Sequence, residues 1–154
     1  MTHQFDFFTQ YNQFYICDSD QSGDVPSDFW SEEAYDDRLG IAKGMIGIGT
    51  QSYGHIRGEV VLLQSPTEVE NSDRYDHIVE GGLNVQSGVL QFLTCPTSSI
   101  ALKLNIKPGT YRVRVYTSGI KGTDIDEDEG SDYYKIEIWP DSNLERKVIK
   151  IYGK

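Results

Sequence analysis

The chain has 154 residues, 38% of them apolar and 12% aromatic, with 24 acids against 14 bases and a net charge of −10. That is enough chain for one domain with its own core, without metal or disulfide staples, and it is too aromatic for a disordered one. The negative charge disfavours nucleic acid and anionic membrane, whose phosphates repel such a surface.

Residues 5–8 and 11–17 are apolar and aromatic and predict one interrupted or bulged strand. A polar loop follows, and then the one helix signal, near residues 28–43. Ser31 stands at a capping position, and Glu32 and Glu33 fall in the first turn, where the helix dipole favours anions. Trp30, Ala34 and Tyr35 give an apolar side, and Gly40 or Gly44 can end the helix. After Gly44 the period switches to two. Residues 45–49 and 55–64 predict strands joined through Ser52-Tyr53-Gly54. Gly58 shares a face with Ile56, Val60 and Leu62, which marks a bulge or close packing. Residues 75–85 follow, bent at Gly81-Gly82, and then 89–94. Ile100, Leu102, Leu104 and Ile106 alternate with Ala101, Lys103 and Asn105 as a half-buried strand. Lys107-Pro108-Gly109-Thr110 is a turn, because Pro presets φ and Gly supplies a positive one. Beyond it Tyr111, Val113 and Val115 face in, while Arg112, Arg114 and Tyr116 face out. After an acidic loop at 121–132, Tyr134, Ile136 and Ile138 face in. Tyr133, Lys135, Glu137 and Trp139 face out, so that Arg112 or Arg114 opposes Glu137. Residues 148–152 form a last short strand. The expectation is one all-β domain over residues 1–154, an antiparallel β-sandwich of about nine strands with one short helix near residues 28–43.

The acids are concentrated. Asp18, Asp20, Asp24, Asp28, Glu32, Glu33, Asp36 and Asp37 fall in residues 18–37 with no Lys or Arg among them. Asp124, Asp126, Glu127, Asp128, Glu129 and Asp132 fall in residues 124–132. Together they hold more than half of the 24 acids, which leaves the rest of the chain mildly basic. Crowded carboxylates repel one another, and a basic partner relieves that repulsion while gaining on-rate. Trp30, Tyr35 and Trp139 are candidate aromatic anchors for it. The plain alternative is a pair of solvated loops.

The segment Asp18-Ser19-Asp20-Gln21-Ser22-Gly23-Asp24 matches the first half of a calcium loop, with Asp18, Asp20, Ser22 and Asp24 as ligands. Its twelfth position is Phe29, where that loop needs a bidentate Glu. Calcium is thus the alternative ligand, and no other cofactor is expected. His3, His55 and His77 form no metal-binding pattern, and neither Cys17 nor Cys95 has a local catalytic signature beside a His. A non-enzymatic protein is expected. The first residues lack a basic start followed by an apolar run, so no secretory leader is expected, and no stretch approaches the ~20 apolar residues that span a bilayer. Both cysteines are therefore expected as reduced thiols.

In order along the chain, Tyr11-Asn12-Gln13-Phe14-Tyr15, Trp30, Gly44-Met45-Ile46-Gly47, Gly88-Val89-Leu90 and Lys107-Pro108-Gly109-Thr110-Tyr111 resemble the competence protein J family of nuclease inhibitors, or a related bacterial β-sandwich family. The resemblance runs to about Tyr116. Beyond it the acidic loop and the last two strands extend past the family pattern. The resemblance implies a small cytoplasmic protein that neutralises a nuclease or toxin made nearby. This agrees with the charge, because nuclease sites are lined with bases that hold phosphates, and carboxylates can stand in for those phosphates.

Overall fold

The alternating segments form eleven strands among the described residues, packed as two sheets of an all-β sandwich. The computed structural model describes residues 1–21, 25–70 and 73–153. The strands are β1 (Thr2–Phe8), β2 (Gln13–Asp18), β3 (Leu39–Ala42), β4 (Met45–Gly49), β5 (His55–Leu62) and β6 (His77–Val85). They continue with β7 (Val89–Thr94), β8 (Ile100–Asn105), β9 (Gly109–Ser118), β10 (Tyr133–Pro140) and β11 (Lys147–Lys150). One sheet has the order β1-β5-β10-β9-β6-β11 and the other β3-β4-β2-β7-β8. Pairing is antiparallel except between β5 and β10, which run parallel. No helix among the described residues is long and apolar enough to cross a membrane.

The core lies between the sheets. Ile56, Val60, Val113, Val115, Ile136 and Ile138 from one face meet Phe14, Ile16, Ile46, Ile48, Leu90 and Phe92 from the other. Each such side chain contributes roughly 1.5–3 kcal/mol on burial. Phe5 closes one side, with its ring centroid 5.4 Å from that of Phe92 and 6.0 Å from that of Phe14. At Gly58 a Cβ would overlap the Tyr134 carbonyl and the Phe5 ring, so this glycine serves close packing, and the ladder passes it without a bulge.

Several expectations are corrected. Residues 5–8 and 11–17 are two strands in different sheets, because Tyr11 and Asn12 both take positive φ (62° and 58°) and turn the chain from one sheet to the other. The helix is α1 (Glu32–Asp37), one turn and a half, with Ser31 Oγ accepting the Ala34 N–H at 3.1 Å as its cap. It stops at Arg38, which is left-handed (φ 59°), and residues 39–42 are strand. Gly40 belongs to that strand, and Phe29 lies across it. A Cβ on Gly40, or on its cross-strand partner Gly47, would overlap the Phe29 ring. Gly81 and Gly82 lie inside β6, whose pairing with β9 runs through them without a break in register. They leave room for Ile41 and for Leu144.

The outward face of the first sheet is covered. Tyr116 and Trp139 lie on the outward face, and both are covered there, at 0% and 3% exposed. Arg114 explains this. Its Nε donates to Glu80 at 2.7 Å, its Nη1 to Glu137 at 3.1 Å, and its guanidinium sits 4.8 Å from the Trp139 ring centroid. Arg112 completes the cluster through its Nε to Glu80 at 3.1 Å. The carbonyl of Thr67 accepts from Arg114, and those of Asn143 and Glu145 accept from Arg112. Two loops are thereby drawn over the face, and Trp139 is packing rather than surface.

Candidate functional site

The two acidic segments were expected as surface loops, and at one end of the sandwich the fold brings parts of both to a single cleft of about 510 Å³. One wall is the turn between β1 and β2, with Tyr11, Asn12 and Gln13. A second is Trp30 and the end of α1, with Tyr35, Asp36 and Arg38. Gly49, Thr50 and Gln51 form the floor, Ile125 of the acidic loop the third wall, and Tyr152 with Gly153 the fourth.

Hydrogen bonds fix this assembly. Trp30 Nε1 donates to Gln13 Oε1 at 2.9 Å and to Tyr15 Oη at 3.1 Å, which orients the indole along the cleft. Gln51 is the hub. It accepts from Arg38 Nη2 at 2.9 Å and donates through Nε2 to the Thr123 carbonyl at 2.9 Å. Asn12 Nδ2 donates to the carbonyls of Gln51 at 3.1 Å and Ile125 at 2.9 Å. The acidic loop is therefore not a free hairpin tip. It is held by its own backbone carbonyls, with those of Glu127 and Asp128 also accepting from the Tyr53 and His55 N–H groups. Arg57 and His55 both pair with Glu129.

Beneath the floor, Asp132 is buried. One of its oxygens accepts from Ser52 N at 2.9 Å, Ser52 Oγ at 2.9 Å and Tyr134 Oη at 2.6 Å. Burial, with the Asp132 charge adding to it, holds the Tyr134 phenol well above its ordinary range, so it stays a donor. The tail wall is tied down by His77, whose Nδ1 accepts the Tyr152 N–H at 3.0 Å while Nε2 meets the Asp37 carbonyl at 2.7 Å. A backbone donor at Nδ1 requires that nitrogen to be unprotonated, which leaves the proton on Nε2. Burial pushes the His77 pKa down, opposed by the Asp37 carbonyl and helped by the Arg38 charge.

The acids divide into surface and structure. Asp28, Glu32, Glu33, Asp36, Asp124, Asp126, Asp128 and Glu129 are exposed, and Glu127 is half-buried. Glu33 and Asp37 pair with Arg146 at 3.3 and 3.6 Å, and Asp37 and Asp132 are buried. Asp18 is buried too, and its carboxylate accepts from the Gln86 N–H at 2.9 Å, the Ser87 N–H at 3.3 Å and the Ser87 hydroxyl. Within the protein these three donors satisfy the Asp18 carboxylate. It lies five residues along β2 from the cleft, about 17 Å by strand rise, with exposed Asp20 just beyond in a 3-10 turn. Ser22 and Asp24, the other proposed calcium ligands, lie outside the described residues. Among those described, no group of His, Cys, Asp and Glu is arranged to hold a metal ion.

The fold is similar to that of two solved structures. ComJ from Bacillus subtilis, an inhibitor of the DNA degrading activity of NucA, superposes with a TM-score of 0.69 at 19% identity, covering 90% of this chain and 96% of ComJ. The crocagin biosynthetic gene J product superposes with a TM-score of 0.60 at 19% identity, covering 92% of this chain and 99% of its own. No family model matches the chain, and no curated protein matches its sequence. At this identity the likeness establishes the fold. Of the cleft residues, Trp30, Tyr35 and Asp36 were legible as candidates, whereas Arg38, Gln51 and Tyr152 were not.

Proposed function

We propose that the chain is a cytoplasmic, non-enzymatic binding protein of the inhibitor type, which neutralises a basic protein such as a nuclease through the acidic rim of the cleft. The observation that carries this reading is the convergence of α1 and the acidic loop on one cleft. Asp36 lines the cleft beside Trp30 and Tyr35, exposed Glu32 lies one turn back on α1, and exposed Asp124 and Asp126 are the chain neighbours of the lining residue Ile125. A rim of this kind speeds encounter with a basic surface, and the aromatic walls supply area for an anchor. The shared fold with ComJ, itself a nuclease inhibitor, supports the same reading. Burial raises both thiols, that of Cys17 to about 12, which counts against a cysteine nucleophile.

The test is capture of partners from the source cell's lysate at low and high salt, with the Asp124→Ser, Asp126→Ser, Asp128→Ser triple variant alongside. Among the described residues these three enter the loop's hydrogen bonds through no side chain, only through the backbone of Asp124 and Asp128, so the loop stays in place when their side chains change. A basic protein retained at low salt, released at high salt and lost by the variant supports the reading. A partner whose retention ignores both salt and variant refutes it. The cleft also favours a second reading, a ligand-binding β-sandwich module. Saturable, salt-insensitive binding of a small molecule would support that instead.

A further inference from the structure

Arg38 is out of place for a residue that only ends a helix. It caps α1 in the left-handed region, where glycine fits without cost and a side chain does not. Its guanidinium carries five donors, of which one is used among the described residues, on Gln51 Oε1. It is half-buried in the cleft, 5.8 Å from the Tyr152 ring centroid, and it has no carboxylate partner among the described residues. Arg57, Arg112, Arg114 and Arg146 are each paired with carboxylates.

The segments that supply two of the cleft's walls carry acids. Asp36 lines the cleft, and Glu32 precedes it by one turn on the same face of α1. On the acidic loop, exposed Asp124 and Asp126 flank Ile125, which lines the cleft. We infer that the cleft is a carboxylate-binding site, in which Arg38 takes one acidic side chain of a partner whose surrounding surface is basic. A cation ringed by anions is complementary to an anion ringed by cations. A uniformly basic surface would meet repulsion at Arg38, and a uniformly acidic one would meet it at the rim. The planar fork of Arg38 suits a carboxylate bidentately, and the cleft removes water from the pair. This rests on the basic-partner reading and adds the chemistry at its centre.

The probes are two capped pentapeptides, Lys-Lys-Glu-Lys-Lys and Lys-Lys-Gln-Lys-Lys, titrated at low salt and followed by NMR at the Arg38 side-chain Nε–H and the Trp30 indole N–H. The Glu peptide is expected to bind about tenfold more tightly, although its carboxylate makes it less positive overall, as one hydrogen-bonded charge pair implies. Arg38→Gly removes the guanidinium and suits the backbone, so it should erase the preference while Tm holds or rises. Arg38→Gln, which keeps the stem and the backbone conformation, should also erase it, and Arg38→Lys should retain part. Equal binding of the two peptides, or a preference that survives Arg38→Gly and Arg38→Gln, overturns the proposal and leaves the basic-partner reading intact. Failure of both peptides to bind removes both.

Discussion

Replacement of Asp132 by Ala tests whether the floor of the cleft depends on one buried carboxylate. The substitution strands Ser52 N–H and Tyr134 Oη–H, which donate to it at 2.9 and 2.6 Å inside the protein. The Ser52 hydroxyl loses its partner too, but it has the His55 carbonyl at 3.5 Å to turn toward. Each stranded donor costs about 1–3 kcal/mol, so two give a range centred near 4. Water entering the vacated space recovers part, and the expected loss is about 3 kcal/mol. For a chain of this length that lowers Tm by roughly 6–12 °C. Urea unfolding reads the loss, and Asp132→Asn, which keeps an acceptor in place, should lose about 1 kcal/mol. The same substitution should speed hydrogen exchange at the Tyr53 and His55 amides, which hold the acidic loop by its Glu127 and Asp128 carbonyls. A loss below about 1 kcal/mol for Asp132→Ala, with unchanged exchange at those amides, would refute the reasoning, because the donors would then have adequate partners without the carboxylate.

Glu80→Ala leaves Arg112 and Arg114 buried on one face with only Glu137 between them, and should destabilise by about 3–5 kcal/mol in denaturant titration. Gly40→Val displaces the Phe29 ring and should lose roughly 2–3 kcal/mol of burial, with a shift in Trp30 fluorescence in a Trp139→Phe background. His77 makes stability depend on pH. Its folded-state pKa lies below its unfolded value near 6.5, so below that pH the unfolded chain binds more protons. The stabilisation is complete above pH ~6.5 and declines as pH falls toward the folded-state value. Melting wild type and His77→Gln between about pH 7.5 and 5.5 should show a decline in wild type that the variant lacks.

The strands were legible because alternation is local. Ile56, Val60, Val113, Val115, Ile136 and Ile138 fall on the inner face as their spacing requires, and Arg114 pairs with Glu137 across β9 and β10. The Ser31 cap was legible for the same reason, since donor and acceptor lie three residues apart. What was not legible is long-range. Nothing near Tyr116 or Trp139 in sequence shows that residues 63–70 and 141–146 fold over them. The cleft is harder still, since its walls come from five segments spread over residues 11–153. The positive φ at Tyr11 and Arg38 leaves no mark in the sequence, because neither residue is glycine.

Acidity that served only solubility would be interspersed with bases over the surface. Here the loop at 121–132 is clamped to the body by Asn12, Gln51, Tyr53 and His55, chiefly through backbone groups, which leaves the side chains of Asp124, Asp126 and Asp128 presented to solvent. Holding like charges in place works against stability, and so does the backbone at three positions of the same cleft. Tyr11, Asn12 and Arg38 are three of the four non-glycine residues at positive φ among the described residues, and all three line it. For Tyr11 and Arg38 that conformation costs about 1–2 kcal/mol each. Asn12 bears it more easily, because its short polar side chain tolerates the left-handed region. Elsewhere the fold resolves such conflicts, pairing Arg112 and Arg114 with Glu80 and Glu137 and satisfying Asp18 with Gln86 and Ser87. Tyr11 and Asn12 also turn the chain between the sheets, so the cost the fold does not itself require is the one at Arg38, where glycine would serve. An unrequired local cost is the pattern expected where binding sets a residue. Relieving it separates the two roles. Arg38→Gly should keep or raise Tm while removing the carboxylate preference of the cleft, whereas a residue kept for the fold would lose stability when replaced.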